Sequence, residues 1–127
     1  MSSILFTNCE NLQGQEVKIK SGANVSEAFD TQGLAVLGIM MPAAWDAANL
    51  GYDVSLDNVT WVSAYDPAGG LEQTVVQASA FVCIPIQDAI FAPFIRAKSV
   101  VAGTNTATNQ TADRTLKFIL RRFLGGS

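Results

Sequence analysis

Five aspartates could supply carboxylate chemistry: Asp46, Asp53, Asp57, Asp66 and Asp88. A glycosidase needs two carboxyl groups facing each other across the scissile bond, one as acid and one as base or nucleophile. No spacing among the five singles out such a pair. Asp57 precedes Asn58, and Asp66 opens the run Asp-Pro-Ala-Gly-Gly, contexts in which an aspartate's first job is to close a turn. Asp53, Asp57, Asn58 and Asp66 could also turn oxygens toward a calcium ion, but no Asp-x-Asp-x-Asp-Gly spacing is present. Cys9 and Cys83 are far apart in the chain and form no C-x-x-C pair, so a zinc site has no ligand set. The 127 residues contain no histidine, which removes the commonest general base and the commonest metal ligand. A serine or cysteine nucleophile would need a lysine or amine base, and no nucleophile, base and orienting group can be named together. The expectation is a protein with no enzymatic activity, no cofactor and no metal.

Charge is the more informative signal. The chain is 49% hydrophobic and 15% charged, with a net charge of −3. Residues 1–95 carry Lys18 and Lys20 against ten acids, a net of −8. Residues 96–127 carry Arg96, Lys98, Arg114, Lys117, Arg121 and Arg122 against Asp113, a net of +5. The composition is too apolar and too weakly charged for a disordered chain. Nucleic-acid readers carry a strongly basic domain, and this one is acidic overall, so the basic quarter points to an acidic protein partner rather than to nucleic acid.

The elements that must position these groups are strands. Gln15–Lys20 alternates, with Val17 and Ile19 on one face. Leu34–Met41 is a continuous apolar run that reads as a strand buried on both faces, stopped by Pro42. Leu50–Leu56 places Tyr52, Val54 and Leu56 on one phase and Asp53 and Ser55 on the other. Asp57-Asn58 is a hairpin turn into a return strand over 59–65, with Trp61 filling the core beneath it. Leu71–Gln77 and Phe81–Ile86 are further strands, the second burying Cys83 as a small hydrophobe. Phe94–Val101 carries Arg96 and Lys98 on one phase. Thr104–Ala112 is a polar, low-complexity stretch that reads as a mobile loop. Thr115–Phe123 turns Leu116, Phe118 and Leu120 inward and Lys117 and Arg121 outward.

Turn signals every 8–15 residues and no long helical period predict an all-β fold, an antiparallel β-sandwich or jelly roll of about eight strands. Residues 1–14 form an N-terminal arm or edge strand, 15–124 a single sandwich domain and 125–127 a flexible tail. If the strands 94–101 and 115–123 pair, their cations form one basic face. Trp45, in an alanine-rich connection, and Phe91, in another, are aromatic anchors of the kind interfaces use. The partner-binding candidates are therefore Trp45, Phe91, Arg96, Lys98, Lys117, Arg121 and Arg122. The N-terminus has no basic start and no long apolar run, and no segment is long enough to span a membrane.

Two resemblances add to this reading. The hairpin from Tyr52 to Tyr65 (Tyr-Asp-Val-Ser-Leu-Asp-Asn-Val-Thr-Trp-Val-Ser-Ala-Tyr) and the strand Phe94-Ile-Arg-Ala-Lys98 resemble discoidin-type, galactose-binding-like jelly rolls. That likeness implies a carbohydrate-binding sandwich, for which Trp45 with Asp46 and Asn49 would be the platform and donors. Met40-Met-Pro-Ala-Ala-Trp45, Val54-Ser-Leu-Asp-Asn-Val-Thr-Trp61 and Asn109-Gln-Thr-Ala-Asp-Arg-Thr-Leu116 resemble small structural proteins of tailed-bacteriophage virions, over residues 34–120. This second likeness implies a head-decoration, or cement, protein assembled in the host cytoplasm and bound to the capsid exterior. Its partners would be the major capsid protein and copies of itself, with a homotrimer as the leading assembly. The alternative is a tail, neck or fibre component that binds a glycan.

Overall fold

The last strand explains the architecture best. Over Arg114–Arg121 every second side chain is apolar or buried, and Leu116, Phe118 and Leu120 are removed from solvent while Thr115, Lys117 and Arg121 stay exposed. A strand with that period can bury one face only, so it needs a second layer to cover it. The computed structural model describes residues 12–65, 68–84 and 92–122 and contains nine strands and no helix among them. They are β1 (Leu12–Ile19), β2 (Phe29–Asp30), β3 (Ala35–Met40), β4 (Asn49–Ser55), β5 (Val62–Ser63), β6 (Gln73–Thr74), β7 (Phe81–Cys83), β8 (Phe94–Val100) and β9 (Arg114–Arg121).

Two antiparallel sheets result. The first runs β1-β9-β3-β7; the second runs β2-β8-β4-β5, with β6 also pairing β4. One core lies between them. Val17, Ile19, Val36, Ile39, Leu116, Phe118 and Leu120 come from the first sheet, and Phe29, Leu50, Tyr52, Ile95 and Ala97 from the second. Phe29 meets Phe118 across the layers with ring centroids 5.3 Å apart. Aromatic contacts of this kind add about 0.5–1.5 kcal/mol to the burial itself. The all-β sandwich expected from the alternation is thus the fold of the protein.

Several local expectations are corrected. The continuous run 34–41 is buried on both faces as far as Ile39, as its composition suggests, but a bulge between Val36 and Gly38 shifts the register and Met40 faces outward. The return strand expected over 59–65 shrinks to β5. The Asp57 carboxylate accepts the backbone N–H groups of Val59 (2.9 Å) and Thr60 (2.8 Å), while Asn58 adopts φ of 62°. Those amides are spent on the turn and cannot join a ladder. Leu56, just beyond the end of β4, is 83% exposed rather than inward. Trp61 is half-buried on the outer side of the second sheet and outside the core cluster, under the Arg96 guanidinium rather than under the hairpin. Cys83 is exposed, because β7 turns Phe81 and Cys83 out and Val82 and Ile84 in. Cys9, Asp66, Asp88, Phe91, residues 1–11 of the expected arm and the tail 125–127 lie outside the described residues.

Candidate functional site

The two basic strands do not pair. β8 belongs to the second sheet and β9 to the first, so Arg96 and Lys98 share no face with Lys117 and Arg121. The single basic face expected from the sequence is replaced by two separate surfaces with different chemistry.

On the second sheet, Arg96 and Lys98 project outward from β8 opposite Asp53 and Gly51 of β4. Asp53 holds both: Arg96 Nε lies 3.1 Å from Oδ2 and Lys98 Nζ 2.8 Å from Oδ1. Lys98 Nζ also donates to Ser63 Oγ at 2.8 Å, which in turn accepts from Asn105 Nδ2 at 3.2 Å. Arg96 stacks on Trp61, its guanidinium carbon 4.5 Å from the ring centroid. The Lys98 stem lies across Gly51, where an added Cβ would meet its Cε at 3.2 Å. Asp53 is buried although it sits on the outward phase, because these two cations cover it. Both cations are thus committed to holding β8, β4 and β5 together.

A second polar node ties the loops to the sheets. Gln110 is fully buried. Its Oε1 accepts from Asp46 N (2.9 Å) and Arg114 Nε (3.2 Å), and its Nε2 donates to Ser99 Oγ (2.9 Å) and Asp46 O (3.2 Å). Asp46 Oδ1 pairs with Arg114 at 3.0 Å and Oδ2 accepts from Thr111 N at 2.7 Å. The hydrogen bonds from Thr111 and the Arg114 charge hold the Asp46 carboxyl below its usual range. The stretch 104–112 is therefore fastened rather than loose. Val101 donates to Thr106 O, Thr108 to Ser99 O, Gln110 to Ala23 O, and Ala107 bridges to Val100. Nothing in the local sequence signals this, because a lone glutamine in a Thr/Asn-rich run looks like every other polar residue.

Trp45 packs against the core cluster and donates from Nε1 to Ala48 O at 3.2 Å. Asp46 is committed to Arg114, and Asn49 donates to Gln73 Oε1 at 3.2 Å. Asp57, besides the two turn amides, accepts from Ser55 Oγ at 3.0 Å; the backbone donors hold its carboxyl below the usual range. Tyr52 buries its hydroxyl against Thr74 Oγ1, and burial raises its pKa well above the ordinary value. No group of three or more potential metal-ligating side chains occurs among the described residues. No helix there is long and apolar enough to cross a membrane.

The first sheet presents the other surface. Its outward positions form rows across the strands: Glu16, Lys117, Met40 and Phe81 in one, and Gly14, Ile119, Gly38 and Cys83 in the next. Met40 is 48% and Phe81 55% exposed. An added Cβ on Gly38 would lie 2.8 Å from Phe81 Cζ, and one on Gly14 would lie 2.5 Å from Lys117 Cε. Phe81 and Lys117 therefore lie flat over the glycine positions. Lys18 reaches Asp113 at 3.9 Å, a weak exposed pair. Lys20, Lys117, Arg121 and Arg122 make no ion pair among the described residues, and all four belong to β9, to its end or to the end of β1. Met40 and Phe81 carried no sequence signal as surface residues, because continuous apolar runs hide which phase faces out, whereas Ile119 shares the outward phase of Lys117 and Arg121.

No family model matches the chain, and no curated protein matches it in sequence.

Proposed function

We propose that this protein is a non-enzymatic structural component of a tailed-phage virion, a head-decoration protein that binds the outer capsid lattice and stiffens it. The reading rests on the likeness of residues 34–120 to small phage structural proteins and on one observation. The carboxylates Asp46, Asp53 and Asp57 are engaged in internal ion pairs and turns, whereas exposed apolar side chains and cations without acidic partners share the outer face of the first sheet. A molecule arranged in this way offers its surroundings a surface rather than a reaction centre. Interfaces are built of an apolar centre enriched in aromatic residues, methionine and arginine within a polar rim. Each copy would bridge neighbouring capsid subunits and add buried area that resists outward pressure, alone or as a homo-oligomer, with a trimer suiting a lattice of local threefold points.

The test is the copy number of this chain in purified particles, measured by quantitative mass spectrometry against the major capsid protein. A stoichiometry comparable to that of the capsid subunit is expected. A few copies per particle would assign the protein to the tail, neck or fibre, and none would remove it from the virion.

A further inference from the structure

Resting on that reading, we propose that the outer face of the sheet β1-β9-β3-β7 is the docking surface, and that its occupant is an acidic protein surface with an apolar centre. The cations of β8 take no part. Four observations converge. First, the cations differ in their commitments: Arg96 and Lys98 share Asp53 on the second sheet and Arg114 pairs with Asp46, whereas Lys20, Lys117 and Arg121, on the outward phase of the first sheet, make no ion pair among the described residues, although Glu16 stands opposite Lys117 in the register. Unpaired positive charge on one face of a chain with net charge −3 is complementary to an acidic partner and repels a cationic one.

Second, the centre of the same face is apolar. Met40 and Phe81 are direct cross-strand neighbours, Lys117 pairs Met40 from the other side, and Ile119 and Cys83 lie in the adjoining row through Gly38. Third, the face is smooth. With glycine at 14 and 38, the Lys117 stem and the Phe81 ring lie flat on the sheet instead of standing out from it. A flat apolar centre with charges on its flanks suits a broad protein contact. Fourth, this arrangement is ill-suited to nucleic acid, which would demand a groove lined by cations along a phosphate track. Here the cations flank an apolar centre.

Binding of immobilised acidic copolymers tests this without presuming the virion reading. The probe is poly(Glu,Tyr), compared with poly(Glu) and with a DNA duplex of similar charge. The wild-type chain should bind poly(Glu,Tyr) more tightly than either, with affinity falling as salt rises. The double variant Lys117→Glu/Arg121→Glu should lose at least tenfold in affinity, and Met40→Ser/Phe81→Ser a similar factor. Leu56→Ser, at a still more exposed apolar position elsewhere, should change nothing. Gly38→Ala, which leaves every charge in place and only lifts the Phe81 ring, should weaken binding severalfold. Circular dichroism spectra matching the wild type establish that the variants are folded; should the double variants fail that check, Gly38→Ala and Leu56→Ser decide the matter alone.

The proposal is overturned if Leu56→Ser weakens binding as much as the face variants do, or if charge reversal at Lys117 and Arg121 has no effect. Duplex binding as tight as that of poly(Glu,Tyr) would assign the face to nucleic acid. Self-association abolished by the face variants would assign it to a second copy of this chain. Failure of the protein to bind phage heads while the copolymer pattern holds would sink the virion reading and leave the docking face standing.

Discussion

Replacing Gln110 with alanine should be among the most damaging single changes outside the apolar core. The side chain makes four hydrogen bonds, two as acceptor and two as donor, and none of its atoms reaches solvent. Truncation leaves Ser99 Oγ and Arg114 Nε without partners in buried positions. Each orphaned buried group costs about 1–3 kcal/mol. The vacated volume adds about 1 kcal/mol, and a water admitted to the hole returns a comparable amount. The net expectation is a loss of about 3–4 kcal/mol, a large part of the roughly 5–15 kcal/mol that holds a domain of this size together. In urea, with a slope of about 1.5 kcal/mol per molar, the midpoint should fall by about 2 M. The assay is equilibrium unfolding followed by tryptophan fluorescence and far-ultraviolet circular dichroism, with coincident transitions as the check on two-state behaviour. Gln77→Ala, at an exposed position, is the control and should stay within about 0.5 kcal/mol of wild type. A loss below about 1 kcal/mol for Gln110→Ala would refute the node as the fastening of the 104–112 stretch.

Other consequences can be checked in the same way. Asp53→Ala leaves Arg96 and Lys98 facing each other without their shared carboxylate and should cost about 2–3 kcal/mol in urea titration, below the figure for fully buried pairs because Arg96 is partly solvated. Phe118→Ala empties the contact with Phe29 at the centre of the core and should cost about 3–5 kcal/mol, read as a thermal midpoint by calorimetry. The lowered carboxyls of Asp46 and Asp57 stabilise the fold above their ordinary value of 3.8, and that contribution is lost as pH falls below it. Thermal midpoints should therefore hold steady near neutrality and decline below about pH 4, and Asp46→Asn should flatten part of the decline. Tyr52 behaves in the opposite sense. Its raised pKa keeps the phenol protonated in the fold, so stability is full below the ordinary value of 10.0 and is lost as pH rises beyond it, a loss that Tyr52→Phe should reduce.

What was legible in the sequence follows from which signals are local. The sandwich was readable because β1 and β9 alternate cleanly, and the phase of Leu116, Phe118 and Leu120 is set by a period of two that needs no tertiary knowledge. The outward-facing Met40, Phe81 and Cys83 were hidden, since runs such as Leu-Ala-Val-Leu-Gly-Ile-Met-Met and Phe-Val-Cys-Ile are apolar at every position and a bulge shifts one of them. The division of the basic strands between two sheets is a matter of topology, which strand-by-strand charge does not carry. The shortened return strand is in principle readable: Asp57-Asn58 reads as a turn, and a carboxylate in that place can reach the amides of Val59 and Thr60 and withdraw them from the ladder. The position of Trp61 is not legible locally, because large aromatics usually go to the core and the cation stacked on it comes from a strand distant in sequence.

The most direct test of the central claim is the binding of purified protein to phage heads assembled without it, followed by co-sedimentation and by the heat tolerance of the particles. The account predicts saturable binding at a fixed ratio to the capsid subunit, a rise in the temperature at which heads rupture, and loss of both on Lys117→Glu/Arg121→Glu. Heads that bind none of the added protein, or that bind it with no gain in tolerance, would contradict the account.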